Sequence, residues 1–315
     1  MTDDLIGLSN KELPGGDIMS YSTTRIRILL DWDADAKHAL IWAADKAGLF
    51  GKNGLKVEMV PPQSEKLEKV HAGEAELSIN YPHNVLLMRK ELPNLISVGV
   101  LVKTNPEGLF TLKKSGIDTP KGLENKTVAI GWGPLGRSQI KIFLDYHDLT
   151  DKNVKLIPIG RKGKKLLLAG EFDALNGVQY ANARTERLGH EINFFPYINS
   201  GVPNSAFLVF VGQKEWVNGN EEALKRFFSC IKQGLDLVKE WGNDEWEAYT
   251  DTLEGRNRDE EMAVWEATLP LIDDGGDLLH HDIEEIRKLQ DILYKGGMLE
   301  ATYPIEEIFV NSYLT

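Results

Sequence analysis

The chain has 315 residues, of which 42% are hydrophobic and 27% charged, a composition typical of a folded globular protein. Its length exceeds what one ordinary core accommodates and predicts two α/β domains. The formal net charge is −12, from 48 acidic and 36 basic residues; a surface of that sign repels phosphate backbones and anionic lipid, so nucleic acid is excluded as an expected partner.

The first 24 residues form a polar tail with no basic start, no apolar core of signal-peptide length and no lipid-attachment cysteine. We therefore expect no export signal in the sequence as it stands. No later segment approaches the roughly 18 apolar residues that a transmembrane helix needs. The single cysteine, Cys230, lies in an apolar helical pattern and is expected to be a buried structural thiol, and it leaves the compartment open.

Beyond the tail, strand and helix patterns alternate, which is typical of sheets built from βαβ units. The first series predicts one lobe, with strands at 26–30, 55–60, 76–80 and 95–102 and helices at 37–47, 64–71 and 82–90. A second series opens near residue 109 and predicts a lobe of similar build, with strands at 126–132, 154–157, 174–178 and 192–196.

The last part of the chain is expected to return to the first lobe, because its long helices need an existing core to pack on. It contains an apolar strand at 206–211 and helices at 221–241, 245–253, 258–269 and 282–294. The predicted fold is α/β and two-lobed, each lobe a mainly parallel sheet flanked by helices, with a two-strand hinge about which the lobes rotate. The predicted boundaries are a tail at 1–24, a discontinuous lobe 1 at 25–104 plus 206–315, and an inserted lobe 2 at 105–205.

The end of the first strand carries the most informative candidate site. Trp32 lies among Asp31, Asp33 and Asp35, with His38 on the first turn of the next helix, and open α/β sheets hold their ligands at this end of a strand. The indole predicts a stacking platform for a flat ligand, and the carboxylates predict acceptors for its N–H groups. The alternative interpretation is a rim tryptophan beside aspartates that cap the helix.

Three more strand ends are expected to face the same cleft. The glycine-rich loop after the strand at 126–132 exposes N–H groups suited to an anion; it also fits a dinucleotide fingerprint, but the next strand offers no carboxylate for a ribose. Instead of binding a ligand, the loop could be only a tight strand-to-helix turn. Likewise, Asn80 and Tyr81 could only cap the helix that begins at Pro82. The candidate ligand-binding residues are Gly133, Gly136, Arg137 and Ser138 in the loop, Asn80 and Tyr81 after the third strand, and Gln179, Tyr180 and Asn182 in the second lobe.

No metal, cofactor or catalytic nucleophile is expected. His280 and His281 are adjacent, so a helix would point them in different directions, and no set of histidines and carboxylates has a zinc spacing. Neither a nucleophile elbow nor a Walker loop occurs in the sequence.

A series of motifs, in order through nearly the whole body, resembles the type II solute-binding proteins of ABC importers, in the branch with formylaminopyrimidine-binding proteins, riboflavin-binding relatives and thiamine-pyrimidine synthases. The motifs are LDWDADAKH at 30–38, AGLFGKNGLKVE at 47–58, HAGEAELSIN at 71–80, SGIDTPKGLENKTVAIGWGPLGRSQI at 115–140, AGEFDALNGV at 169–178 and GVPNSAFLVFV at 201–211. The resemblance implies a periplasmic-binding-protein-like type II fold and a monomer outside the cytoplasm that closes on a small molecule and presents it to an ABC permease. It places Trp32 against the ligand, and it places residues 133–139 at the segment that holds a phosphate in the synthases.

Three departures from this family pattern bear on the ligand. The usual D-W-x-P-N reads with Ala34 and Asp35 at its last two positions, which predicts an anion where the family offers an amide. The acidic residue that follows the second-lobe strand in pyrimidine binders corresponds here to 180–183, so that acceptor is expected to be absent. The synthases' lysine for pyridoxal phosphate and their reacting histidine correspond to Asn80 and Asn84, and their cysteine loop is missing, which argues against synthase chemistry.

Two classes of function follow. The first is a non-catalytic binding protein of an ABC importer for a flat, nitrogen-bearing molecule such as a pyrimidine or vitamin precursor, stacked on Trp32; a sensor that binds without transport needs the same cleft. The alternative is a cytoplasmic enzyme on the same scaffold, related to the synthases or to decarboxylases and desulfinases, with Asp35, His38 and His83 as candidate acid and base groups. The expected lack of an export signal favours the enzyme.

Overall fold

The computed structural model of the protein describes residues 22–131, 134–160, 162–187 and 189–314. In chain order the strands are β1 Thr24–Leu29, β2 Leu55–Val60, β3 Leu77–Asn80, β4 Leu95–Val102, β5 Glu107–Leu112, β6 Thr127–Ile130, β7 Lys155–Pro158, β8 Ala174–Val178, β9 Ile192–Pro196 and β10 Leu208–Gln213. They form two five-stranded sheets, ordered β2-β1-β3-β10-β4 and β7-β6-β8-β5-β9.

Each sheet is mainly parallel with one reversed strand. In the first sheet β10 pairs antiparallel with both β3 and β4, and in the second β5 pairs antiparallel with both β8 and β9. The other neighbouring pairs are parallel. Strand β4 reads LISVGVLV and is buried along its whole length, as expected of a strand covered on both faces.

Helices lie at or near each of the seven segments predicted for the first lobe and the C-terminal part, whereas the short helices at 49–52 and 214–219 were not predicted. They are α1 Ala39–Lys46, α2 Leu49–Lys52, α3 Lys66–His71, α4 Pro82–Leu87, α5 Pro134–Tyr146, α6 Gly163–Leu168, α7 Gln179–Arg187, α8 Lys214–Gly219, α9 Glu221–Lys239, α10 Asn243–Thr250, α11 Arg258–Ile272 and α12 Ile283–Lys295. Asn257 and Asp282 cap α11 and α12 by accepting from backbone N–H groups of the first turn. Among the described helices, none is long and apolar enough to cross a membrane.

Helices α1 and α9 pack at unusually close range in the core of the first lobe. A Cβ atom placed on Gly234 of α9 would lie 2.1 Å from the backbone oxygen of Leu40 in α1, so only glycine fits there. Cys230, one turn earlier on α9, is fully buried, and burial raises the pKa of its thiol to about 11. The predicted structural thiol is thereby confirmed.

The chain crosses between the sheets twice, from β4 to β5 and from β9 to β10. The backbone N–H of Asn105 donates to Oδ1 of Asn204 over 3.0 Å, and that of Phe207 donates to the carbonyl of Val102 over 2.9 Å. The crossing segments therefore bond to one another. This two-lobed α/β architecture with two connections is the predicted fold class; the residue boundaries drawn between the lobes stay a prediction.

A segment near the C-terminus covers strand β4 at the edge of the first sheet. The N–H of Ser97 donates to Ile308 O over 2.7 Å, and the N–H of Val310 donates to Ser97 O over 2.9 Å, so this edge is not open to other chains. The Ser97 hydroxyl lies 2.7 Å from Nε2 of His281, whose Nδ1 lies 2.8 Å from Oδ1 of Asn311. A neutral imidazole that donates from Nδ1 and accepts at Nε2 satisfies both bonds.

His281 is expected to make the protein less stable as the pH falls from about 6.5 to 4. Burial lowers the pKa of this histidine to about 4, so in that window the unfolded chain binds a proton that the folded chain does not. The contribution of His281 to the free energy of unfolding is complete above about pH 6.5 and declines by about 1.4 kcal/mol per pH unit below it. Urea unfolding at several pH values should show a shallower pH dependence for His281→Asn than for the natural protein or the control His190→Asn; parallel curves would contradict the assignment.

Candidate functional site

The carboxyl ends of β1 and β3 lie together, because the two strands pair in parallel through Ile28 with Leu77 and Leu29 with Ser78. Asp31 follows β1, and Asn80 closes β3. Trp32 is 46% exposed beside Asp31. The first lobe therefore presents its candidate residues at one edge of the sheet, where the sequence pattern predicted them.

Four ionisable side chains between β1 and α1 form a buried ionic cluster, which consists of Asp31, Asp35, Lys37 and His38. Nζ of Lys37 donates to both carboxylate oxygens of Asp35 over 3.1 and 3.0 Å and lies 3.5 Å from Oδ2 of Asp31. Nε2 of His38 lies 2.9 Å from Oδ1 of Asp31. All four residues are at most 5% exposed, so the charges of the cluster are balanced inside the protein.

The contacts within the cluster shift the pKa of each member toward its ionised form despite burial. Burial opposes ionisation of Asp31 and Asp35, but attraction to Lys37 and hydrogen bonds to His38 outweigh it, and the pKa of both carboxyls lies below the usual range. Burial also opposes the charge of Lys37, yet the two aspartates raise its pKa. The pKa of His38 is raised as well, because bonds to both aspartates outweigh burial and the repulsion of Lys37.

Asp35 does not present a free anion to the cleft, contrary to what its replacement of the family's asparagine suggested. Its side chain accepts from the backbone N–H of Lys37 and caps the short turn Ala36–His38. Its own carbonyl accepts from the Tyr249 hydroxyl over 2.7 Å. The capping interpretation is thus confirmed for this residue, and ligand contacts by Asp35 and His38 stay predictions.

Three rings from different parts of the chain form an aromatic cluster where the lobes meet, consisting of Tyr81, Tyr180 and Phe207. The ring centroids of Tyr81 and Phe207 are 5.2 Å apart and those of Tyr180 and Phe207 are 6.4 Å apart, both edge to face. Nζ of Lys37 lies 6.0 Å from the centroid of Tyr180. Tyr81 follows β3, Tyr180 lies in the first turn of α7, and Phe207 lies on the second crossing, so the cluster spans both lobes.

Asn80 has a structural role in the first lobe. Its Oδ1 accepts from the backbone N–H of Tyr81 and from Nδ2 of Asn84, each over 2.9 Å, which fixes the start of α4 at Pro82. His83 stacks on Tyr81 with centroids 5.3 Å apart. The side-chain oxygen of Asn80 is therefore already hydrogen-bonded within the protein, and a ligand contact by Asn80 stays a prediction.

Asn182 on α7 is a buried polar residue of the second lobe. It is 3% exposed, and neither its amide nitrogen nor its amide oxygen has a hydrogen-bond partner among the described residues. Gln179, by contrast, is exposed at the start of the helix. Buried polar atoms normally have partners, so the unpartnered carboxamide of Asn182 favours a ligand contact.

The predicted glycine-rich loop is described in part, since Gly133 lies outside the described residues. Gly136 and Ser138 are half-buried, and Arg137 is exposed. A cavity of about 450 Å³ lies between α5 and β7, with Gly131, Arg137 and Lys141 in its lining. Asp145, which accepts from Lys141, and Asp151 also line this cavity, so it carries charges of both signs. The structure does not connect it with the aromatic cluster.

Sequence reasoning did not assign roles to Lys37, Glu107 and Glu261. Lys37 was detectable as a lone lysine that follows three aspartates at the start of an apolar helix. Glu261 is fully buried on α11, where Oε2 accepts from the backbone N–H of Ala36 over 2.7 Å and Oε1 accepts from Arg184 of α7 over 2.5 Å. It therefore joins the two lobes at the ionic cluster, and no local sequence signal marks it.

Within the described part of the chain, no group of three or more histidine, cysteine, aspartate or glutamate residues is placed to hold a metal ion. Where the lobes meet, the structure brings together aromatic rings, paired charges and unpartnered amide groups. Together with the two mainly parallel sheets and the double crossing, these features define a two-lobed α/β protein of the periplasmic-binding-protein type.

Solved structures share this fold. The periplasmic aliphatic sulphonate-binding protein SsuA of Escherichia coli superposes with a TM-score of 0.70 at 13% identity, covering 92% of this chain and 93% of its own. The desulfurization enzyme DszB superposes with a TM-score of 0.64 at 12% identity, covering 91% and 97%. At this identity the likeness concerns the fold, which serves both a binding protein and an enzyme.

Residues 35–241, more than half of the chain, match the family described as NMT1/THI5 like, and the protein belongs to that family. A protein of Haemophilus influenzae named for thiamine biosynthesis is 26% identical over 298 residues, covering 92% of this chain and 93% of its own. The formylaminopyrimidine-binding protein of Halalkalibacterium halodurans is 26% identical over 221 residues, covering 68% and 66%. The 4-amino-5-hydroxymethyl-2-methylpyrimidine phosphate synthase of Uromyces fabae is 24% identical, covering 72% and 71%.

Proposed function

We propose that the protein is a solute-binding protein that closes its two lobes on a flat, nitrogen-bearing small molecule of the aminopyrimidine class. The observation that carries the proposal is the aromatic cluster of Tyr81, Tyr180 and Phe207, which draws rings from both lobes and from the crossing between them. Rings held by separate lobes come together only when the lobes are close, so a flat ligand among them would stabilise closure.

The polar groups around these rings suit a neutral or weakly basic heterocycle. The carboxamide of Asn182 offers one donor and one acceptor, both unpartnered, and its N–H donor matches a ring nitrogen of an aminopyrimidine. The names of the bacterial pyrimidine-binding and thiamine-biosynthesis relatives favour the same ligand class.

The ionic cluster supports binding more than catalysis. A general acid or base must reach the atom whose proton it transfers, whereas Asp35 and His38 are 4% and 0% exposed and are bonded to Lys37 and Asp31. Their charges set the electrostatic field behind the aromatic cluster. We assign them to the support of the site.

An enzyme on the same scaffold is the second candidate, and His83 is the residue that favours it. Burial lowers the pKa of His83 to about 4, so its imidazole is neutral near pH 7 and stacks against Tyr81 of the aromatic cluster. The fungal relatives named as synthases and the fold of DszB also fit an enzyme. Chemical change of a pyrimidine probe during incubation with the protein would support this candidate.

Transport is the proposed context of binding. The similarity to periplasmic binding proteins of ABC systems supports a location outside the cytoplasm and a membrane permease as the partner that receives the ligand. Co-purification of the protein with a permease in a ligand-dependent manner would support this context over a sensor.

Trp32→Ala is expected to weaken binding of 4-amino-5-hydroxymethyl-2-methylpyrimidine by about 5- to 150-fold, because stacking of one base on one aromatic side chain contributes about 1–3 kcal/mol. Isothermal titration calorimetry measures the change, and the natural protein should also show a higher unfolding temperature with this pyrimidine.

The matched control is Tyr294→Ala, which removes another exposed aromatic ring, on α12, and should leave the affinity unchanged. Equal affinity of Trp32→Ala and the natural protein would rule out the stacking role of Trp32.

A further inference from the structure

Glu107 opens strand β5 directly after the first crossing. Its backbone N–H donates to Oδ1 of Asn105, and the carbonyl of Pro106 accepts from the N–H of Gln179, each over 2.9 Å. The residue pairs with Val178 of β8. Glu107 is thus fixed where the crossing, the middle of the second sheet and the start of α7 meet.

The carboxylate of Glu107 forms an acceptor-rich pair with Gln139 of α5. Nε2 of Gln139 donates to Oε2 of Glu107 over 2.6 Å. Gln139 is 2% exposed, and its own Oε1 has no hydrogen-bond donor among the described residues. A carboxylate and an unpartnered carboxamide oxygen therefore lie side by side, and such a pair is complementary to a group with N–H donors.

Glu107 also lacks a cationic partner in the described part of the chain. Burial raises the pKa of its carboxyl, and the hydrogen bonds of Gln139 and Asn105 offset this only in part. Burial likewise raises the pKa of Tyr81 and of Tyr180, and the Glu107 carboxylate contributes to both increases. The bond from the N–H of Gln179 to the carbonyl of Pro106 and the pairing of Glu107 with Val178 place Glu107 beside the start of α7, the helix that carries Tyr180.

We infer that Glu107 is the specificity-determining residue of the cleft and that it accepts a hydrogen bond from the amino group of the bound heterocycle. The inference rests on the proposed function and assigns the residue that selects the ligand. An amino group offers one N–H to Glu107 and the other to Oε1 of Gln139, whereas a carbonyl at the same place would face two acceptors. Gln139 acts as a positioning residue.

This assignment also replaces an acceptor that the family comparison had placed elsewhere. Residues 180–183, after β8, contain no acid. Glu107 lies on β5, the neighbour of β8 in the sheet, so a carboxylate reaches the same end of the second lobe from the adjacent strand.

The test compares two pyrimidines by calorimetry, 4-amino-5-hydroxymethyl-2-methylpyrimidine and its counterpart with a 4-oxo group. The natural protein should prefer the amino compound. Glu107→Gln should weaken binding of the amino compound by about 10- to 150-fold, the range of a hydrogen bond to a charged group, and should remove the preference. Gln139→Leu should reduce the preference, and the control Glu124→Gln, an exposed glutamate of the same lobe, should change neither value.

The outcomes separate this inference from the proposed function. If Trp32→Ala weakens binding while Glu107→Gln retains both the affinity and the preference, the role of Glu107 is overturned and the binding function stands. If the natural protein binds neither pyrimidine, both are overturned. Circular dichroism checks that each variant folds. If Glu107→Gln does not fold, Gln139→Leu provides the test: an unchanged preference for the amino compound in that variant overturns the pairing of the two residues.

Discussion

Replacing Lys37 by methionine is expected to lower the free energy of unfolding by about 3–5 kcal/mol, the cost of removing one partner from a buried ion pair. The substitution leaves Asp31 and Asp35 facing each other at 5% and 4% exposure without their common cation. Urea unfolding at pH 7 measures the loss. The control Lys52→Met, an exposed lysine on α2, should change stability by less than about 0.5 kcal/mol.

The pH dependence of this loss identifies its cause. Lys37 lowers the pKa of both aspartates, so the stability it confers is present above their unfolded pKa of about 4 and is lost as the pH falls below it. The difference between the natural protein and Lys37→Met should therefore shrink below pH 4. A loss under 1 kcal/mol at pH 7, or one independent of pH, would show that the cluster is not held ionised by Lys37.

Replacing Glu261 by glutamine is expected to lower the free energy of unfolding by about 2–4 kcal/mol, somewhat less than for a fully buried pair because its partner Arg184 is partly exposed. The fully buried carboxylate bonds to Ala36 and to Arg184 at once, so the substitution weakens a contact between the lobes as well as the support of the ionic cluster. The control Glu266→Gln changes an exposed glutamate on the same helix.

A double-mutant cycle with Arg184→Met separates the two effects of Glu261. Coupling of about 0.5–3 kcal/mol between the two positions would confirm that the ion pair joins the lobes energetically. Additive losses, within about 0.5 kcal/mol, would show that Glu261 acts through Ala36 and through Arg256, whose Nη1 lies 3.8 Å from Oε1 of Glu261, and not through Arg184.

The fold was predictable because its determinants are local. A strand such as β4, with eight consecutive buried residues, and a helix such as α9, with apolar residues every three or four positions, carry their structure in their own sequence. The grouping of charged and aromatic side chains at the end of β1 was likewise predictable, since Trp32 and the aspartates follow an apolar strand directly.

The chemistry of the cleft was less predictable, because its partners are distant in the chain. Glu261 lies 225 residues from Ala36, to which it bonds, and Glu107 gains its significance from Gln139 on another element. From the sequence, Asp35 could either contact a ligand or cap a helix. The structure shows that the Asp35 carboxylate pairs with Lys37. Local patterns specify elements, whereas the pairing of charges depends on tertiary structure.

Gly234 links the packing of two helices to the position of the ionic cluster. The glycine sets the distance between α9 and α1, and α1 continues directly from the turn that holds Lys37 and His38. A side chain at position 234 would push α1 aside and move the paired charges without touching them. The position of the ionic cluster therefore depends on a helix contact that lies outside the cluster.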